Sequence, residues 1–428
     1  MVNKRAAATK LKGVKKIHHP KLRVTKRKSQ KYDEEITSEE EDYSDNPEEN
    51  SDKNAEKPNK TIIQETREEI PLNIPKELTN KAYRKIELFT DRVASESYQK
   101  IRDFHASSCV SCLVVSNSLD FIICGSKDGR IVKYTFEGVR VHQIKSHKRN
   151  SKNFNRPVQP KGSILCMALS CDDRFLVTSS EDNLIFIWDA KTFKYIKHLI
   201  GHRSSVTGLC FQKDSYQLYS CGNDKMVKLW NVEKCGFIDT WYGHEAPIFM
   251  IDSLEKECAV TCASDSTIRF WKVFQQSQLV FNSSSGWDQL CVAMINEKIF
   301  VSGSLDGTLS LWSASLKKPL FTITKVHTQT PNDQLESSSS YQILSIAVIP
   351  FHDIIATGSH DGFIKLFSVV EEKRLEYIKS ILCDGHVNSL KFSECGKYLI
   401  AGCGCEERLG RWSAVKNRTL NSVKVFML

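Results

Sequence analysis

Two kinds of residue grouping in this sequence have types and spacings that suggest chemistry. Cys109 and Cys112 form a Cys-x-x-Cys pair, and Cys403 and Cys405 stand close together in "GCGCEERLGRW", residues 402–412. Each pair offers two thiolate ligands, but a closed zinc site needs four, and no second pair follows at zinc-finger spacing. No metal is expected at either, and both are assigned to strand, core or turn packing. The second grouping combines carboxylate, imidazole and hydroxyl: His202, Ser220 and Asp224, then His244, Thr261 and Asp265. Meeting at one reacting site, such groups would make a hydrolytic triad, but a recurring spacing argues for a scaffold position. With no glycine-rich phosphate loop and no paired catalytic carboxylates standing out, neither enzyme activity nor a cofactor nor a small-molecule substrate is expected.

The elements that position these groups emerge from a repeat. "SKDGRIVKY", "SEDNLIFIW", "GNDKMVKLW", "ASDSTIRFW", "SLDGTLSLW" and "SHDGFIKLF" align an aspartate at Asp128, Asp182, Asp224, Asp265, Asp306 and Asp361. Six residues after each stands an aromatic: Tyr134, Trp188, Trp230, Trp271, Trp312 and Phe367. Each Asp opens a tight turn, and the alternating apolar residues behind it have the period of a half-buried strand. Steps of 41 to 55 residues between aspartates suit one four-stranded blade each. Counting back six from Trp412 places Glu406 at the aspartate position, Gly402 at the hydroxyl, and Gly385-His386 in line with Gly201-His202. That makes a seventh unit, for which "NRTLNSVKVFML" can supply the outer strand, in competition with the segment before residue 107.

This pattern resembles WD40 repeats, and the resemblance implies an all-β, seven-bladed β-propeller over residues 107–428. It also gives the polar groups a role: Asp bonds His, His bonds Ser or Thr, and the hydroxyl bonds the Trp indole, a buried chain with every member satisfied. The third unit carries the full set as His202, Ser220, Asp224 and Trp230, the fourth as His244, Thr261, Asp265 and Trp271.

Charge divides the rest. Residues 1–31 carry 12 Lys/Arg and no Asp/Glu, residues 32–56 carry 12 Asp/Glu and one Lys, and the remainder has a net charge of +8. Like-charge blocks with few large apolar residues cannot offset the entropy of ordering, so a disordered basic tail (1–31) and an acidic linker (32–75) are expected. Lys4, Arg5, Lys15 and Lys16, with Lys26, Arg27 and Lys28 behind them, resemble a bipartite nuclear localisation signal read by an import receptor. A generic phosphate-neutralising arm is a compatible reading. Ile86, Phe89, Val93 and Ile101 recur at roughly helical spacing, which predicts a helical segment over 76–106 packed on the propeller. No apolar run approaches the ~20 residues of a membrane span, and no signal-peptide core is present, so the cysteines are expected to be thiols in a reducing compartment.

Three stretches are more specific: "IIATGSHDGFIKLF", "VNSLKFSECGKYLIAGCGCEERLGRW" and "VTCASDSTIRFWKVFQQSQLVF". They resemble the family of WD-repeat proteins of the U3 small nucleolar ribonucleoprotein. The resemblance implies a non-catalytic component that recognises the box B/C region of U3 RNA together with a kink-turn-binding protein. It further implies a role in precursor rRNA processing toward 18S rRNA and small-subunit biogenesis, in the nucleus and nucleolus. The basic loop from Lys145 to Lys161 gives Lys148, Arg149, Lys152 and Arg156 as phosphate contacts, the sixth unit's turn gives His360, and Arg408 and Arg411 follow by resemblance. The competing reading is a WD40 adaptor that holds a peptide on its central face, as in chromatin or ubiquitin-ligase assemblies.

Overall fold

The structure, a computed structural model, describes residues 99–106, 108–145, 159–283, 285–327, 342–408, 410 and 421–428. They form seven four-stranded antiparallel sheets with no helix among them. Six blades are consecutive in sequence, over 110–144, 164–199, 206–241, 248–282, 289–323 and 343–382. The seventh takes His386–Phe392, Tyr398–Gly404 and Ser422–Met427 from the end of the chain and Gln99–His105 from before the first blade. First strands of neighbouring blades pack side by side all the way round, so the ring is closed about an axial channel.

Burial follows this geometry. Second strands such as Cys258–Ala263, Ile299–Ser304 and Ile354–Ser359 are buried at every position, because blades cover both of their faces. Outer strands such as Arg140–Ile144 are half exposed. Every first strand carries a register shift within its first few residues, for example between Val206 and Gly208 and between Ile248 and Met250. A bulge adds twist and leaves one residue outside the ladder. In blade four that residue is Phe249.

Four expectations are corrected. Residues 99–105, assigned to the helical segment, form a strand antiparallel to Ser422–Met427, with Gln99 opposite Met427 and His105 opposite Ser422. Ile101 thus belongs to a sheet edge, and the propeller begins at 99. Ser422–Met427 is accordingly the third strand of blade seven and not its outer strand. The register counted from Trp412 also fails. Strand-two residues Leu218, Ala259 and Phe300 pair with Trp230, Trp271 and Trp312, and in blade seven Leu399 pairs with Phe426. Phe426 therefore holds the aromatic position and Ala401 the hydroxyl position, and residues 405–421 are an insertion between strands two and three. A Cβ on Gly402 would lie 2.8 Å from Val110 Cγ1, so the glycine admits blade one. His386 also departs from the expected match: it starts its strand, whereas His202 precedes Val206–Phe211 by four residues. The rest of the helical segment (76–98) and both charged tails, with Lys4, Arg5, Lys15, Lys16, Lys26, Arg27 and Lys28, lie outside the described residues.

A chain beginning at residue 106 leaves Ser422–Met427 as an open edge. It is expected to melt roughly 5–10 °C below one beginning at residue 97, taking about 2–4 °C per kcal/mol, and to associate. Differential scanning fluorimetry and light scattering check both outcomes.

Candidate nucleic-acid interface

The polar chains stiffen the face on which the interface would lie. In blade three the Trp230 indole N–H donates to Ser220 Oγ at 2.8 Å, and Ser220 lies 2.7 Å from His202 Nε2. His202 Nδ1 is 2.8 Å from Asp224 Oδ2. An ionised carboxylate only accepts, so Nδ1 donates to it, Nε2 accepts from serine, and all donors run from indole to aspartate. Blade four repeats this with Trp271, Thr261, His244 and Asp265 at 2.8, 2.8 and 2.9 Å. Other blades vary it consistently. Gln289 Oε1 takes the imidazole's place in blade five, accepting from Ser302 Oγ, which accepts the Trp312 indole. In blade six His327 joins Asp361 to Thr357, with Phe367 in place of the indole. Blade seven, with Phe426, has no indole donor to satisfy and carries Ala401. These four-residue sets lie in separate blades and build turns, not a reacting centre.

Both the turns after second strands and the loops between blades open on this face. The insertion of blade seven begins there, and its first residues are held tightly. Cys405 N–H donates to Asn421 Oδ1 at 2.9 Å. The Glu406 carbonyl accepts from Asn388 Nδ2 at 2.8 Å and from the Cys109 thiol at 2.9 Å. Glu406 pairs with Lys127 of blade one at 3.1 Å, and the same ammonium donates to the Gly410 carbonyl. Glu406 stands one residue beyond the place that Asp224 and Asp265 hold relative to their second strands, and it reaches the neighbouring blade. Arg408 turns inward, lines an axial cavity of about 270 Å³ with residues of six first strands, and donates from Nη2 to the Phe249 carbonyl at 3.1 Å.

His360 is half-buried, 5.9 Å from the His386 ring between centroids. Burial, then the charge of His386, lowers its pKa below the ordinary imidazole value, so near neutral pH it is an uncharged hydrogen-bonding group and not a phosphate cation. Lys148, Arg149, Lys152, Arg156 and Arg411 lie outside the described residues. The cysteine pairs are accounted for by packing. Burial pushes the Cys109 thiol up to about 11 and Cys112 higher still, the wrong direction for a thiolate ligand or nucleophile. Cys403 is buried with its Sγ 3.1 Å from Cys383 Sγ, and Cys405 follows the end of its strand. Sequence reasoning missed Phe249, Lys127 and Asn388, because a bulge carbonyl and two residues distant in sequence leave no periodic signal.

Comparison with known proteins bears on this architecture. The family model described as "WD domain, G-beta repeat" matches residues 98–134, 155–189, 193–231, 329–368 and 377–406. The human U3 small nucleolar RNA-interacting protein 2 is 33% identical over 322 residues, covering 74% of this chain and 66% of that protein. The Arabidopsis thaliana U3 snoRNP-associated protein-like EMB2271 is 31% identical over 259 residues, 59% of this chain and 54% of that protein. The solved structure of U3-55K superposes with a TM-score of 0.72 at 35% identity, covering 78% of this chain and 99% of that one. The chain belongs to the U3-55K family of WD40 proteins. It spans about half to two thirds of the length of the curated relatives it matches. The described propeller is the part of the chain that superposes on U3-55K.

Asp224 and Asp265 supply a pH test of the polar chains. Burial alone raises both, but hydrogen bonds from His202 and His244 and from neighbouring backbone N–H groups outweigh it, holding both carboxyls below the ordinary range. A depressed folded pKa stabilises the fold above the unfolded value of about 3.9. That contribution is lost as pH falls through the folded values. Asp265→Asn is expected to lower stability by about 1–3 kcal/mol at pH 7 and to lose less between pH 5 and pH 2 than the parent. Urea unfolding across that range measures both.

Proposed function

We propose that the protein is a non-catalytic, RNA-binding component of a U3 box C/D small nucleolar ribonucleoprotein, active in precursor rRNA processing toward 18S rRNA. The observation that carries this reading is the similarity to U3-55K over 99% of that chain, at 35% identity. U3 RNA at its box B/C region, a kink-turn-binding protein and other processome proteins are the partners, and nucleus and nucleolus the compartments. Lys148, Arg149, Lys152 and Arg156 neutralise phosphates, His360 hydrogen-bonds as a neutral ring, and Arg411 contacts RNA or protein from the blade-seven insertion. Two features support the loop face as the site: the long connections between blades one and two (145–163) and five and six (324–342) and the blade-seven insertion start from it, and residues 57–428 carry a net +8. The adaptor reading needs an open central face, and Arg408 spans that opening.

Crosslinking in cells followed by sequencing is expected to recover U3 RNA with contacts centred on box B/C. A spread of messenger RNAs, or no RNA, overturns the proposal. Replacing Lys4, Arg5, Lys15 and Lys16 by alanine should shift a fluorescent fusion from nucleus to cytoplasm through loss of import-receptor binding. Unchanged nuclear retention assigns those residues to the phosphate-binding alternative.

A further inference from the structure

We propose that Arg408 is a positioning residue that staples the start of the blade-seven insertion across the axial channel to blade four, and that it makes no contact with bound RNA or protein. The tethers on 405–410 divide by location. Asn421 and Asn388 belong to blade seven itself. Cys109 precedes the first strand of blade one, the adjacent blade, and Lys127 lies in the turn after its second strand. All of these hold the stretch from one side of the ring. Arg408 reaches the far side, three blades away, where its guanidinium donates to the Phe249 carbonyl.

The acceptor is suited to this. Phe249 is the bulged residue of its strand, between Ile248 and Met250, so its carbonyl lies outside the ladder and is free to receive a donor from the channel. The carboxylate that lines the same cavity, Asp252, accepts from Met294 N–H and the Cys210 thiol. With its head in the channel, Arg408 points away from any ligand on the loop face. The start of the insertion, residues 405–408, is thereby tied toward the axis.

The effect on RNA rests on the proposed function, whereas the staple does not, and the experiment separates them. Arg408→Met keeps the stem and deletes the donors; Arg408→Gln serves if the methionine variant does not fold. In RNA-free protein, amide exchange at 405–408 is expected to accelerate at least tenfold while the melting temperature stays within about 2 °C. Unchanged exchange overturns the staple. With U3 box B/C RNA, affinity at fixed salt is expected to fall about tenfold with the slope of log K against log salt unchanged. A slope reduced by about 0.7–0.9 is the signature of one lost phosphate contact and overturns the positioning role. If the parent protein binds no U3 RNA, the proposed function falls, and the exchange result alone decides the staple: acceleration supports it, no change rejects it.

Discussion

The antiparallel pairing of residues 99–105 with 422–427 is the constraint on which the rest of the ring depends. Each blade buries its faces against two neighbours, so a ring that fails to close exposes two sheet faces and an unpaired edge at once. Closure by one strand from each end converts six locally built sheets and an incomplete seventh into one cooperative object. The bulge repeated at the start of every first strand has the same global function, since seven equal turns about an axis need each inner strand twisted alike.

The polar chains impose a local constraint. An indole N–H buried without an acceptor is costly, so tryptophan at the third strand demands a hydroxyl at the second. Thr178, Ser220, Thr261 and Ser302 each meet that demand. Phe426 makes none, and Ala401 stands at the hydroxyl position of its blade. This combination explains why blade seven can dispense with the buried chain and spend its turn on a long insertion held by Lys127 and Arg408.

Much of the fold was legible because the aspartate-to-aromatic spacing is a short-range turn signature repeated six times, and strand alternation has a fixed period. The seventh blade was misread for the same reason: Trp412 stands six residues after Glu406, but an insertion had displaced the true third strand to 422–427. Ile101 fitted a helical period by chance over few residues, and only a partner at the other end of the chain makes it a strand. For the candidate site, the sequence offered the basic loop by charge and Arg408 and Arg411 by resemblance, but it read the blade-seven insertion as a turn and third strand. It could not show that Arg408 faces inward, because that orientation depends on a carbonyl freed by a bulge three blades away, or that burial keeps His360 neutral.

Closure by the two ends has a temporal side. During synthesis at about 5–20 residues per second, residues 99–105 emerge first and wait on the order of tens of seconds for 422–427. Throughout that interval the blades already made form an open arc whose terminal faces are apolar, a substrate for chaperones that shield strand edges. Because the third strand of blade seven is the last to be translated, a prematurely terminated chain cannot seal. Ring closure is therefore possible only once translation has reached the end of the propeller.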